Sequence, residues 1–377
     1  MSKLQSGDQL ELNVASFFQA RGFFVRRGVK LSASAIEGDA TDIDVLAIRS
    51  SPVFAEERTV VDCKDRDRAR PYQRILWARG LAAFIRASRC VVVLRETQAP
   101  AREFAAQGDV ELASANLLSN SQYKGYSDAD IRRAQSYAAV RTIKAPASKE
   151  LLRTLAIVRQ MLVVGNSAAN FNRLTAIVRK LEEQPIQSLP ELQWAKAAII
   201  REAAVISAIL VLRIVGEVKW FSEPDLATGV VQRLTYGDLP IAKAQQLARV
   251  VLKEDLPDGL PPPEYADEIA SHIAALVGQP GVAQWLPQAV DQVLFPPNSI
   301  MTLPLVSLEV ANEARMLALK HISAFSFACG LSGRLDPLPP LFFGERATAL
   351  VEQKKRRKGE ASSPELPLSP TPSGKSS

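Results

Sequence analysis

Two β-branched runs, DIDVLAI (42–48) and TVVDCK (59–64), stand about ten residues apart with a polar connector, SPVFAEER, between them. Runs of this composition at this spacing predict adjacent strands folded as a hairpin. No other feature constrains the fold as much, because acids sit inside both runs. Side chains alternate across a strand, so Val60, Asp62 and Lys64 share one face, Val61 and Cys63 share the other, and Asp42 and Asp44 also lie on a common face. Folding about the connector sets opposite one another residues whose numbers sum to roughly 106–107, which puts Asp44 across from Asp62 or Cys63 at one ladder spacing of about 4.8 Å. Two carboxylates and one ammonium then converge on a single spot.

The flanking segments extend the hairpin into an α/β unit. LELNVASFFQA (10–20) has apolar residues at helical spacing, and Arg21-Gly22 supplies a stop. FFVRRGVKL reads as a first strand, PYQRILWARGLAAFIRA as a helix opened by Pro71, CVVVLRE (90–96) as a fully apolar strand, AREFAAQG as a short helix and VELAS as a last strand. ANLL starts a further helix. The order is α-β-β-β-α-β-α-β-α, ending near residue 120. Beyond residue 128 the strand signals fade into Ala/Leu/Ile-rich helical patterns over 149–163, 168–184, 191–219, 241–254, 264–277 and 307–329, punctuated by prolines. The expected division is an α/β domain over 1–125 with a mixed central sheet flanked by helices, an all-α domain over 126–350 and a basic, Ser/Pro-rich tail over 351–377 that is too polar to fold.

A chain of 377 residues, 47% hydrophobic, is long enough for two such cores. The three cysteines, Cys63, Cys90 and Cys329, have neither zinc-site nor disulfide-framework spacing, which fits a reducing cytoplasm. The polar start MSKLQSGDQLELN does not read as a signal peptide, and AAVISAILVL (203–212) is too short to span a bilayer and reads as a buried helix. No membrane partner is expected. The only histidines, His272 and His321, read as ordinary helix residues, so chemistry at the hairpin must run without imidazole.

Burying two carboxylates side by side is unfavourable unless a proton or a cation neutralises them. Mg²⁺, or Mn²⁺ in its place, suits two carboxylates plus waters, and the remaining positions could take a phosphate oxygen and an attacking water. Lys64 could hold that water or steady the transition state. These residues also carry a resemblance. Asp44 followed by Asp62-Cys63-Lys64 at the end of the next strand resembles the D…(D/E)xK signature of the PD-(D/E)xK, or restriction-endonuclease-like, nucleases. GDQLELNVASFFQARGFFVRR resembles the first helix and strand of Mrr-like members, with Glu11 at the helical Glu. The resemblance covers about residues 7–120. It implies a metal-dependent nuclease acting on DNA or, less often, RNA by in-line attack of a Mg²⁺-bound water, leaving a 5′-phosphate. It further implies Asp44 and Asp62 as metal ligands, Lys64 as the water-positioning lysine and Glu11 as an accessory acid. Gln73 stands where some members carry a functional Gln. Ile43 replaces the proline of the signature, and the middle acid is Asp rather than the commoner Glu. Many such nucleases act as dimers, so a homodimer is possible.

Several residues keep two readings. Asp42 is either a further site acid or a polar strand-edge residue, and Glu11 on the residues alone could be an ordinary surface acid. Arg66, Arg68 and Arg70 in DRDRAR are phosphate contacts beside the cut site or part of a solvated turn. Residues 131–181 hold ten Lys or Arg (Arg132, Arg133, Arg141, Lys144, Lys149, Arg153, Arg159, Arg173, Arg179, Lys180) against one acid, Glu150. They form either a clamp for a nucleic-acid backbone or solvated helix faces that dock on the acidic helices downstream. KKRRK (354–358) is a tether or a solubilising tail. Three functions follow: a metal-dependent nuclease, a catalytically idle binding or scaffold module of the same fold, or an interaction protein whose role lies in the helices.

Overall fold

The computed structural model describes residues 6–32, 39–64, 70–116, 146–184, 190–252, 260–296, 303, 306–331 and 335–336. All lie in one compact unit, Ser2–Leu338, while the other unit, Met1 with Pro339–Ser377 and hence the basic tail, lies outside the described residues.

The α/β part runs α1 (Ser6–Gln19), β1 (Phe24–Ser32), β2 (Asp39–Ser50), β3 (Glu56–Lys64), α2 (Pro71–Phe84), β4 (Arg89–Leu94), α3 (Ala99–Gln107) and β5 (Glu111–Ser114). The sheet order is β1-β2-β3-β4-β5. The first two pairings are antiparallel and the last two parallel. The mixed sheet therefore follows from its connections: only a few residues separate each of the first three strands from the next, and a helix crosses over before each of the last two.

Alternation along the strands gives the sheet two apolar faces. Val25, Val45, Ala47, Val61, Val91 and Val93 point to α1, meeting Leu10, Val14 and Phe18. Cys90, Val92 and Leu94 point to the other face, where Ile75, Ala78 and Ala82 of α2 and Ala105 of α3 cover them. Gly22, at φ +79°, makes the left-handed turn from α1 into β1 that a side chain would resist.

The helical part comprises, among the described residues, α4 (Pro146–Gln160), α5 (Ser167–Glu183), α6 (Pro190–Val218), α7 (Glu223–Tyr236), α8 (Ile241–Leu252), α9 (Ala266–Val277), α10 (Pro280–Ala283), α11 (Leu286–Leu294) and α12 (Leu308–Ala328). Every residue from Ala203 to Leu212 in α6 is buried, and no described helix is long and apolar enough to cross a membrane. The sequence reading missed α7, α10 and α11 because Pro224, Pro280 and Pro287 look like breakers. Each sits instead in the first turn of its helix, where the missing N–H costs nothing. His272 and His321 also depart from expectation. They form a buried pair, His272 Nε2 to His321 Nδ1 at 3.1 Å, and His321 Nε2 meets Ser207 Oγ at 2.8 Å. Burial lowers the His272 pKa to about 4 and holds His321 well below its ordinary value, so this pair is neutral.

Ion pairs tie the helices to the sheet. The fully buried Arg26 of β1 donates to Glu202 of α6 at 2.9 Å and to Asp291 of α11 at 2.9 Å, and Arg159 of α4 shares the same Glu202 oxygen at 2.9 Å. At the β2–β3 turn, Glu56 binds both Arg58 and Arg213 of α6.

Candidate active site

The β2–β3 hairpin adopts the register its sequence predicts, with Val45 opposite Val61 and Leu46 opposite Val60. The paired ladder ends at Val45. One residue further along β2, Asp44 uses its side chain in place of a backbone acceptor, Oδ2 receiving the Cys63 N–H at 2.7 Å. On the other side of Asp44, the β1–β2 register runs from Arg27 opposite Val45 to Val29 opposite Ile43. Gly28, between these partners, has φ +59°. The β2–β3 ladder thus stops at Val45, while β2 continues past Asp44 in unchanged register with β1.

Asp44, Asp62 and Lys64 meet there. Lys64 Nζ stands 3.0 Å from Asp44 Oδ2 and 3.6 Å from Asp62 Oδ1. The Asp62 side chain is wholly buried, while Lys64 keeps a third of its surface in solvent. Burial would lower the Lys64 pKa, but Asp44 and Asp62 outweigh it and hold the ammonium above its ordinary value. Burial pushes the Asp44 carboxyl up, against the Cys63 N–H and the Lys64 charge. Asp42 is exposed on β2, across from Lys30.

Glu11 is more loosely joined to this group. It pairs with Arg27 at 3.6 Å with a quarter of its side chain exposed. Burial, reinforced by the Asp44 charge, raises its pKa to about 7. It is therefore near enough to feel Asp44 and is poised to change charge at neutral pH.

One neighbour was not legible as a site residue. Arg74, in the first turns of α2, donates Nε to Asp62 Oδ2 at 2.8 Å and Nη2 to Asp62 Oδ1, while its guanidinium lies over the Trp77 ring at 4.5 Å. Gln73, the residue singled out from sequence, is exposed. A signal for Arg74 exists: with Ala78 and Leu81 it falls at i, i+4 and i+7 on the sheet-facing stripe of α2, so a charge there must find an acid on the sheet. Trp77 is half-buried, and Phe84, further along the same helix, is 72% exposed.

The predicted phosphate contacts divide. Arg66, Arg68, Arg132, Arg133, Arg141 and Lys144 lie outside the described residues. Arg70, Lys149, Arg153, Arg173 and Lys180 are exposed. Two members of the basic segment turn inward instead: Arg159 to Glu202, and Arg179 to the Ala328 carbonyl at 2.8 Å. Buried acceptors compete for them more strongly than solvent does. Two contacts anchor the C-terminal end of α4: Arg159 Nη1 reaches Arg27 O of β1 at 3.4 Å, and Val163 O, just beyond the helix, accepts from Arg58 of β3 at 3.4 Å.

A hard divalent cation fits the donors present. Asp44 and Asp62 offer only oxygen, and Asp44 Oδ1 takes no hydrogen bond among the described residues. No cluster of three or more His, Cys, Asp or Glu stands among the described residues, so water, substrate or backbone oxygen would complete the shell, as suits Mg²⁺. Both Asp62 oxygens are engaged by Arg74, which must move for the cation to share them.

No curated protein and no solved structure matches the chain. Residues 3–121, the segment that builds this sheet and its carboxylate pair, match the Mrr-type restriction endonuclease family model, and the five-stranded mixed sheet flanked by helices is consistent with a restriction-endonuclease-like fold.

Proposed function

We propose that this protein is a divalent-metal-dependent nuclease that hydrolyses phosphodiester bonds in DNA. One observation carries the reading: Lys64 stands 3.0 Å from Asp44 and 3.6 Å from Asp62 at the end of β3, where the β2–β3 ladder has stopped. Asp44 and Asp62 would hold Mg²⁺ or Mn²⁺. The bound cation would supply Lewis acidity, offsetting charge on the phosphate and lowering the pKa of water. The chain's own groups do the rest. Lys64, beside both carboxylates, would hold the attacking water or donate to the charge building on the phosphate. Asp44, anchored on the Cys63 N–H, keeps its geometry while Lys64 shifts toward substrate. Glu11 is the accessory acid, able to take up or release a proton near pH 7. Exposed Arg70, Lys149 and Arg153 are suited to steer the nucleic-acid backbone.

A second reading has its own support. The Arg74 fork on Asp62 neutralises that carboxylate without metal, as an idle module of the same fold would require. Nicking of supercoiled plasmid DNA in Mg²⁺ separates the two. The wild-type chain should cut, and Lys64→Ala should lose about 10²–10³-fold in rate, the usual cost of removing one transition-state donor. Equal rates in the two proteins would sink the site assignment, and an inactive wild type would favour the idle module.

A further inference from the structure

Among the described residues, Arg74 is the one group in contact with the candidate metal ligands for which the catalytic reading has no use. Its guanidinium binds both oxygens of a carboxylate that has no solvent of its own. A buried carboxylate needs such a partner, since its desolvation is otherwise uncompensated. With Asp44, Asp62, Lys64 and Arg74 the cluster holds two negative and two positive charges. A divalent cation added to it would leave an excess of two positive charges in a partly desolvated pocket, and would compete with Arg74 for the same two oxygens.

The surroundings let Arg74 leave. About a quarter of its side chain is exposed, and its guanidinium lies against the half-buried Trp77, a surface on which a released guanidinium could slide without losing its aromatic contact. Exposed Arg79 lies on the same helix, with exposed Arg70 just before it and exposed Arg86 just after it, and no acid occurs from Ala69 to Arg95. A released Arg74 would find no carboxylate on its own helix. The ligand its planar fork fits equally well is a phosphodiester.

We propose that Arg74 is an exchangeable counter-ion and substrate-binding residue: it occupies Asp62 in the metal-free protein, yields Asp62 to the divalent cation, and transfers to a phosphate of the nucleic acid. This rests on the reading of Asp44 and Asp62 as metal ligands. Its consequence is linkage. Whatever draws Arg74 away tightens metal binding, and the metal reciprocally tightens nucleic-acid binding.

Direct Mn²⁺ binding by the full chain, followed by calorimetry with and without a phosphorothioate DNA duplex that resists cleavage, tests it. Arg74→Gln without duplex should bind Mn²⁺ at least about fivefold more tightly than wild type, the lower end of ordinary coupling between sites. The duplex should tighten Mn²⁺ binding to the wild type by more than it does to Arg74→Gln, the excess being the share that Arg74 carries. Arg74→Lys, which keeps the charge without the fork, should lie between. The proposal is overturned if the duplex leaves wild-type Mn²⁺ affinity unchanged, a result that needs no variant to fold. It is overturned also if a folded Arg74→Gln binds Mn²⁺ no better than wild type while Asp44→Asn and Asp62→Asn abolish binding. Should Mn²⁺ binding survive in both Asn variants, the metal-ligand reading itself fails, and the exchange fails with it.

Discussion

Two clusters in this molecule have the same charges and opposite characters. Asp44, Asp62, Lys64 and Arg74 gather at the end of β2 and β3. Arg26, Arg159, Glu202 and Asp291 gather where β1 meets α4, α6 and α11. Each sets two carboxylates against two cations. In the second, Arg26 and Glu202 are at most 1% exposed, and the partners come from four separate elements. In the first, both cations keep a quarter to a third of their surface in solvent and come from the strand end and the adjoining helix. Exposure of the cations, rather than the charge count, separates a staple from a site. Cations that reach water can be exchanged for a ligand; those sealed between sheet and helices cannot.

Breaking one acid in each cluster should expose the contrast. Glu202→Gln would leave Arg26 and Arg159 without the anion that both share, and should cost about 3–5 kcal/mol of stability. Asp62→Asn frees Lys64 and Arg74, which can turn to solvent, and should cost about 1 kcal/mol or less. Urea unfolding of the two variants measures the difference. Equal losses would mean the strand-end cluster is also a staple, and would weaken the case for it as a site.

A smaller effect sharpens the same distinction through pH. The Glu11 pKa in the folded chain, about 7, lies above its ordinary 4.5 because burial and Asp44 disfavour its charge. The fold therefore favours the protonated form. That contribution is complete below about pH 4.5 and is lost as pH rises through 7. With solvent screening allowed for, the loss should be on the order of 1–2 kcal/mol between pH 5 and pH 8. Glu11→Gln should flatten this part of the stability profile in metal-free protein. Parallel profiles for the two proteins would place Glu11 outside the electrostatic reach of Asp44.

The two clusters also differ in what the sequence reveals of them. The hairpin was readable to within one residue, because β-branched runs and a short connector nearly fix the register and strand alternation fixes the face. Asp44, Asp62 and Lys64 are local in that sense: one hairpin brings them together. Arg26, Glu202 and Asp291 are separated by 176 and 89 positions, and only tertiary packing joins them. Arg74 lies between these cases. Its position on the buried stripe of α2 was legible, but its partner was not until α2 was known to cover β3. The helices opened by Pro224, Pro280 and Pro287 were missed for a local reason, since proline ends one helix and begins the next with the same constraint.

The smallest effect concerns how the two regions cooperate. Arg159, at the C-terminal end of α4, belongs to the staple, while Arg153 and Lys149, nearer its N-terminus, are exposed. The staple would thereby hold the helix that carries these exposed cations. If Arg153 meets one phosphate, Arg153→Gln should reduce the slope of log affinity against log salt by about 0.9 and weaken binding to duplex DNA roughly fivefold at 0.15 M salt. Because an exposed arginine contributes little to folding, its unfolding midpoint should stay where it is. Arg159→Gln should do the reverse, lowering stability first and affecting binding only as α4 loses its orientation. A salt slope unchanged in Arg153→Gln would show that the helical part does not meet the nucleic-acid backbone along α4, and would leave the staple with a purely structural task.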